Sequence, residues 1–275
     1  MNPLLLALGA SLVWGVADFT GPLVSRALGT LRVLFWAQVG GVAALVPVLA
    51  ARAEAPNGWG VLYAMIAAVG GIAGLYAFYR GMQLGTMSVV APIAGISAIV
   101  PVTVGILSGD HPSPAQLGGI ACAIVGVGFA SIEHQDGSRR VATGVGLALL
   151  AALGFGLYFP LMHTAGKVDF WWASLIFRST ALLLVAAAAA AARPQLRLGP
   201  RNLVIAAAVG VGDTIGNVLF AASSAHGLVS LTSVLASLYP IVTVMLAAIV
   251  IKERIAGIQR LGVVLTLLGV GLISA

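Results

Sequence analysis

The sequence predicts an all-α integral membrane protein: ten transmembrane helices, arranged as two inverted five-helix repeats. Three observations predict it. First, 60% of the 275 residues are apolar and only 8% are charged, against roughly a quarter charged in a soluble domain. Mean hydropathy is +1.07. So few charges do not cover a soluble surface of this size, which argues against a soluble enzyme, a DNA-binding module, a disordered regulator or a disulfide scaffold. The single cysteine, Cys122, permits neither an internal disulfide nor a multi-Cys zinc site. Second, charge-free windows recur along the chain, and several reach the ~20 apolar residues that a membrane-crossing helix needs. Third, the two halves of the chain repeat.

The predicted spans are 3–24, 31–51, 58–80, 85–107, 115–132, 142–163, 170–192, 202–222, 229–250 and 257–274. The first could be mistaken for a signal peptide, but it lacks a basic start and contains Asp18, so it reads as a retained helix. The charge-free window from Thr214 to Ile251 is too long for one span. It divides at Gly227, beside the polar Ser223-Ser224-Ala225-His226. The alanine tract Ala186–Ala192, bounded by Arg193-Pro194, reads as the end of the seventh span. A β-barrel would show short segments of alternating polarity, and this chain does not. The most polar stretch, Gly137-Ser138-Arg139-Arg140 after Glu133 and Asp136, falls mid-chain and divides it into repeats 1–136 and 137–275.

A shift of 141 residues sets Ala7, Leu8, Ala10, Leu12 and Gly15 on Ala148, Leu149, Ala151, Leu153 and Gly156. A shift of 143 sets Asp110 on Glu253, Gln116 on Gln259, Gly119 on Gly262, Gly126-Val127-Gly128 on Gly269-Val270-Gly271, and Ser131 on Ser274. Pro101 and Pro240 correspond after a small change of register. A five-span unit is odd, so its two copies enter the membrane in opposite senses. In such inverted repeats a substrate sits at the repeat interface near the midplane.

The basic residues test that topology. Of the 14 Lys and Arg, eleven fall in alternate connections: Arg26, Arg32, Arg80, Arg139, Arg140, Arg193, Arg197, Arg201, Lys252, Arg254 and Arg260. The other face holds only Arg52 and Lys167, and the fourteenth is Arg178, inside a span. The net charge of +6 therefore reads as a topology signal rather than a nucleic-acid surface. The basic face is predicted to be cytosolic, with both termini outside.

Only Asp18, Arg178 and Asp213 are charged residues well inside spans. Each costs about 2.5–3.5 kcal/mol at a helix centre, so each needs a partner, water or a function. At 1.5 Å per residue, Arg178 lies about 12 Å and Asp213 about 16 Å into oppositely running helices, both near the midplane; Asp18 lies about 22 Å along the first, nearer the basic face. Arg178 is a candidate anchor for a carboxylate or phosphate, since its planar fork matches either. Asp213 is its candidate counter-ion, and Asp18 a candidate proton or cation site. The alternative is a structural Arg178–Asp213 pair joining helices. Trp14 shares a helix face with Asp18, and Asn217 shares one with Asp213, four residues apart in each case. Gln38, Tyr158 and Tyr239 are polar or amphipathic residues within spans and complete the candidate binding set; Trp36 and Tyr76 are further possibilities. The pairs Gly70/Gly74, Gly81/Gly85 and Gly212/Gly216 read as close-packing faces. Pro92, Pro101, Pro160 and Pro240 read as kinks or hinges. The four histidines, His111, His134, His163 and His226, are scattered without metal-ligand spacing. No P-loop, dinucleotide fingerprint or nucleophile elbow is present.

The chain resembles the EamA-type transporters of the drug/metabolite transporter superfamily. The resemblance rests on Trp14-Gly15 in the first span, Phe177-Arg178 in the second span of a repeat, Pro240 in the fourth, and above all Lys252-Glu253-Arg254 with Gln259, Gly262 and Gly269-Val270-Gly271. It covers the whole chain. It implies a central cavity between the halves and secondary export of a small metabolite such as an amino acid, or of a drug, without ATP or a bound cofactor. The implied partners are a small, carboxylate-bearing solute, the lipid bilayer and a coupling proton or exchanged solute, with no nucleic acid. A proton-coupled multidrug or cation exporter is the alternative; a membrane enzyme or scaffold is a minor one, without a catalytic constellation. The expected location is the plasma membrane, in a bacterium the inner membrane. The sequence departs from the family at Asp110-His111-Pro112, which stands against Glu253-Arg254-Ile255, at Ala37 or Gln38, where the repeat would place an arginine, and at Asp18. Family members usually have cytosolic termini, opposite to the loop-charge expectation.

Overall fold

The computed structural model describes residues 2–52, 58–107, 113–130, 132–135, 138–227, 229–254 and 257–273. The repeat matches at Asp110, Ser131 and Ser274, and the residues His111, Pro112, Asp136, Gly137 and Ile255, lie outside them. The architecture is all-α apart from one small hairpin, and the helices form two repeated sets.

The first set opens with α1 (Pro3–Leu28), whose N-terminus is capped by Asn2 Oδ1 accepting from Leu4 N at 3.0 Å, with Pro3 in the first turn. Gly29, at φ 88°, ends it, and α2 (Thr30–Ala50) starts at the next residue. Next come α3 (Gly58–Leu84), α4 (Met87–Gly95), a 3-10 turn Ile96–Ala98, α5 (Ile99–Leu107) and α6 (Pro114–Ala130). Strands β1 (Ile132–Gln135) and β2 (Ser138–Val141) pair antiparallel, so Glu133 and Ser138-Arg139-Arg140 of the polar mid-chain stretch lie on paired strands between the halves. The second set is α7 (Val145–Ala192), α8 (Pro200–His226), α9 (Val229–Ala236), α10 (Tyr239–Val250) and α11 (Gly257–Ile273).

Two predicted spans are broken, for the same reason. A proline inside a helix lacks an amide hydrogen, and its ring collides with the carbonyl four residues earlier. Four residues before Pro101 is Ser97, inside the 3-10 turn that separates α4 from α5; four before Pro240 is Ala236, where α9 stops. Pro92 and Pro160, by contrast, lie within continuous helical segments. The predicted gap 164–169 is also corrected. Helix continues to Asp169, whose extended backbone (φ −162°, ψ 111°) divides α7 into two arms. Asp169 Oδ1 then accepts from Trp171 N at 2.8 Å and Trp172 N at 3.1 Å, capping the second arm.

Among the described residues five helices, α1, α2, α3, α7 and α8, are long and apolar enough to cross a membrane; the others are shorter apolar helices. α3 packs chiefly on α7, α8 on α1 and α2, and α6 on α11, a pattern that survives exchange of the two sets. Small residues permit these contacts, as expected where packing rather than water exclusion joins helices. A Cβ on Gly154 of α7 would come within 2.9 Å of the Gly74 Cα in α3. α4 and α10 cross where a Cβ on Gly95 would meet Pro240 Cγ at 2.7 Å. The Lys252-Glu253-Arg254 motif also joins the sets, because Glu253 accepts from Met87 N at 2.9 Å and from Ser88 N at 2.7 Å, capping α4. The polarity is inside-out: Trp59 and Leu183 are about 70% exposed, while Arg178 is fully buried.

Candidate central cavity

A cavity of about 60 Å3 lies between the sets, walled by α1, α2, α3, α7, α8 and α10. That is room for roughly four waters. All eight candidate residues line it: Trp14 and Asp18 from α1, Gln38 from α2, Tyr158 and Arg178 from the two arms of α7, Asp213 and Asn217 from α8, and Tyr239 from α10. Trp36 and Tyr76 are not among its lining. The Trp36 indole donates to Leu196 O at 2.8 Å, and Tyr76 is 40% exposed on the outer surface.

Arg178 sits at the centre of a polar cluster. Its Nη1 donates to Gln38 Oε1 at 3.0 Å, and its Nη2 donates to Asp213 Oδ2. Among the described residues its Nε is buried without a partner. The family departure at Gln38 thus has a structural meaning. Of Ala37 and Gln38, the two residues where the repeat would place a second arginine, Gln38 is the one whose amide accepts from the first. Two arginines facing each other here would leave one buried cation unbalanced.

α8 presents Asp213 and Asn217 one turn apart. The Trp14 indole bridges them, donating to Asn217 Oδ1 at 3.1 Å and to the Asp213 carbonyl at 3.3 Å. Gly216 makes room for that indole, since a Cβ there would lie 2.5 Å from Trp14 Nε1. The ring also makes edge contacts with Tyr158 and Phe159, at centroid distances of 6.1 and 6.3 Å. Asp18 is only 6% exposed, and among the described residues its carboxylate makes no hydrogen bond or ion pair. The hydroxyl of Tyr158 is likewise buried without a partner among the described residues.

A model of the EamA-like transporter family matches residues 1–132 and again 142–275. The chain belongs to the EamA-like transporter family. It is therefore a multi-pass integral membrane protein of the drug/metabolite transporter superfamily. No curated protein matches it by sequence. One solved crystal structure of a protein aligns with 98% of this chain and 95% of its own length, at a TM-score of 0.71 and 16% identity, a likeness of fold.

The cavity of this EamA-family chain also contains residues that sequence reasoning missed. Phe155, Phe159 and Ala181 from α7 and Gly71, Ile72 and Leu75 from α3 line it too, and with Phe177 they complete its wall. A signal existed for Phe155 and Phe159: with Tyr158 they stand at i, i+3 and i+4 on one face of α7. Among the described residues no three His, Cys, Asp or Glu side chains converge as metal ligands.

Proposed function

We propose that this protein is a secondary active transporter that exports a small amphipathic metabolite, of about amino-acid size, across the bacterial inner membrane. The solute binds in the central cavity, and the two repeats, 1–136 and 137–275, rock around it in alternating access without ATP. One observation carries this reading. The three charged residues placed within spans, Asp18, Arg178 and Asp213, all line one cavity between the two helix sets. Buried charges are expensive unless paired or functional, and gathering them in a cavity supports a binding role. The aromatic walls suit the apolar part of the solute. The helix breaks at Pro101 and Pro240 supply hinges on either side of the α4–α10 crossing. A second reading, coupling to a proton, is favoured by Asp18, which has no partner among the described residues.

Counterflow in proteoliposomes tests the pathway itself. A panel of amino acids and amines is loaded inside, and uptake of labelled solute is followed. Ala181, fully buried in the cavity wall, is changed to Phe to fill the space without altering any charge. Wild-type protein exchanges at least one panel member, and Ala181→Phe, checked for an intact melting transition, does not. Equal counterflow in the two proteins would rule out the cavity as the route.

A further inference from the structure

The charge count of the cavity selects the kind of solute it holds. Arg178 is not free to hold an anion. It is fully buried, Nη1 and Nη2 are committed to Gln38 and Asp213, and the Asp213 carboxylate already balances its charge. The remaining Nε donor brings no further charge with it.

Asp18 is the opposite case. It lines the same cavity, is buried, and lacks any hydrogen bond or ion pair among the described residues. The titratable and charged groups around it are Asp213 on α8, Tyr79 on α3, Tyr158 and Arg178 on α7, and Tyr239 on α10. The only cation among these described groups is the one held by Asp213. A carboxylate removed from water must be balanced by a cation or neutralised by a proton. The surroundings suit a cation: the phenol oxygen of Tyr158 is an unused acceptor among the described residues, and aromatic faces attract positive charge.

We propose that the transported solute is a monocation with an apolar body, a protonated primary amine carrying no carboxylate of its own, and that its ammonium group and a proton occupy Asp18 by turns. This rests on the transport reading above and chooses a substrate class within it. The exchange balances: one ammonium enters, one proton leaves the Asp18 carboxyl, and the cavity stays neutral in both states. No other bond forms or breaks. A free amino acid would bring a carboxylate for which the described lining of the cavity holds no unpaired cation, so amines outrank the amino acids that Arg178 suggests from sequence.

Three solutes with the same phenyl group and different charge decide this: phenethylamine, phenylalanine and 3-phenylpropionate. Each is titrated calorimetrically into the purified full-length protein, in two buffers of different ionisation enthalpy so that proton release is counted. Phenethylamine is expected to bind saturably and to release about one proton per amine, with the other two at least about tenfold weaker. Asp18→Asn abolishes proton release and weakens amine binding by about tenfold or more, while Asp18→Glu, which keeps the charge, retains both. Melting transitions of the variants check folding, and the wild-type proton count stands independently of either. Tighter binding of the zwitterion or the anion, amine binding without proton release, unchanged binding by Asp18→Asn, or no saturable amine binding would each overturn the assignment. Counterflow of an anionic or zwitterionic solute that Ala181→Phe blocks would leave the transport reading standing and remove only the cation.

Discussion

Among the described residues are two Arg–Asp pairs whose surroundings differ. Arg178 and Asp213 join the second arm of α7 to α8 at the cavity, with side chains 1% and 16% exposed. Arg52 and Asp169 join the end of α2 to the break in α7 at 2.8 Å, with side chains 30% and 20% exposed. The chemistry is the same and the setting is opposite. Between exposed groups an ion pair gains little, because water solvates each charge almost as well as the partner does. In the interior the pair is obligatory once one member is present, since removal of either leaves a desolvated charge. The inner pair therefore fixes how the cavity is charged. The outer one adds to a turn that Asp169 already holds by capping two backbone amides.

The largest effect expected from this contrast is at Arg178. Arg178→Ala strands the Asp213 carboxylate and should destabilise the protein by about 3–5 kcal/mol, with solute flux lost. Replacing both members, as in Arg178→Met with Asp213→Leu, should recover most of the stability and none of the flux. Chemical denaturation in detergent and counterflow read the two quantities separately. Equal melting of Arg178→Ala and wild type would show that the inner pair is no more binding than a surface one.

A smaller effect is expected where packing rather than charge holds the site. Gly216→Ala places a methyl group against the Trp14 indole. Overpacking of this kind costs about 1–3 kcal/mol. The displaced indole can no longer span Asp213 and Asn217, so solute affinity should fall while the Arg178–Asp213 pair stays intact. Quenching of tryptophan fluorescence by added solute measures that affinity. Unchanged affinity would mean that Trp14 is a passive wall.

The same contrast explains what is legible in the sequence. Within apolar spans a polar residue stands out because the bilayer makes it costly. That is why Asp18, Arg178, Asp213, Gln38 and Asn217 can be picked out by residue type and position alone, and why all of them meet at one cavity. The lining residues Phe155, Phe159, Ile72 and Leu75 carry no such contrast, being apolar residues in apolar helices. The pairing of Gln38 with Arg178 and the isolation of Asp18 depend on helices distant in sequence, and no local pattern encodes them. In the fold, the prolines are visible in the sequence but their consequence is not. Whether a proline breaks a helix depends on how the neighbours accommodate the displaced carbonyl: Pro101 and Pro240 sit at breaks, and Pro160 does not. Asp169 is half legible. The predicted seventh span starts at residue 170, directly after it, but the helix that continues through 164–168, and the single extended residue with its cap that makes the kink, are not visible in the sequence.

The smallest expected effects are at the outer pair, and there the two partners should not behave alike. Arg52→Ala removes the ion pair with Asp169, a contact worth about 0–1 kcal/mol at this exposure. Asp169→Ala removes the same pair and the cap on Trp171 N and Trp172 N, a further cost of about 1 kcal/mol. Asp169→Asn separates the two, since its amide oxygen can still accept from both nitrogens while the charge is gone. Its stability should therefore exceed that of Asp169→Ala by about the worth of the cap. The comparison is made by denaturation midpoints of the three purified variants. If Asp169→Asn is as unstable as Asp169→Ala, the charge holds the turn, and the outer pair would belong with the inner one as a fixed element of the fold.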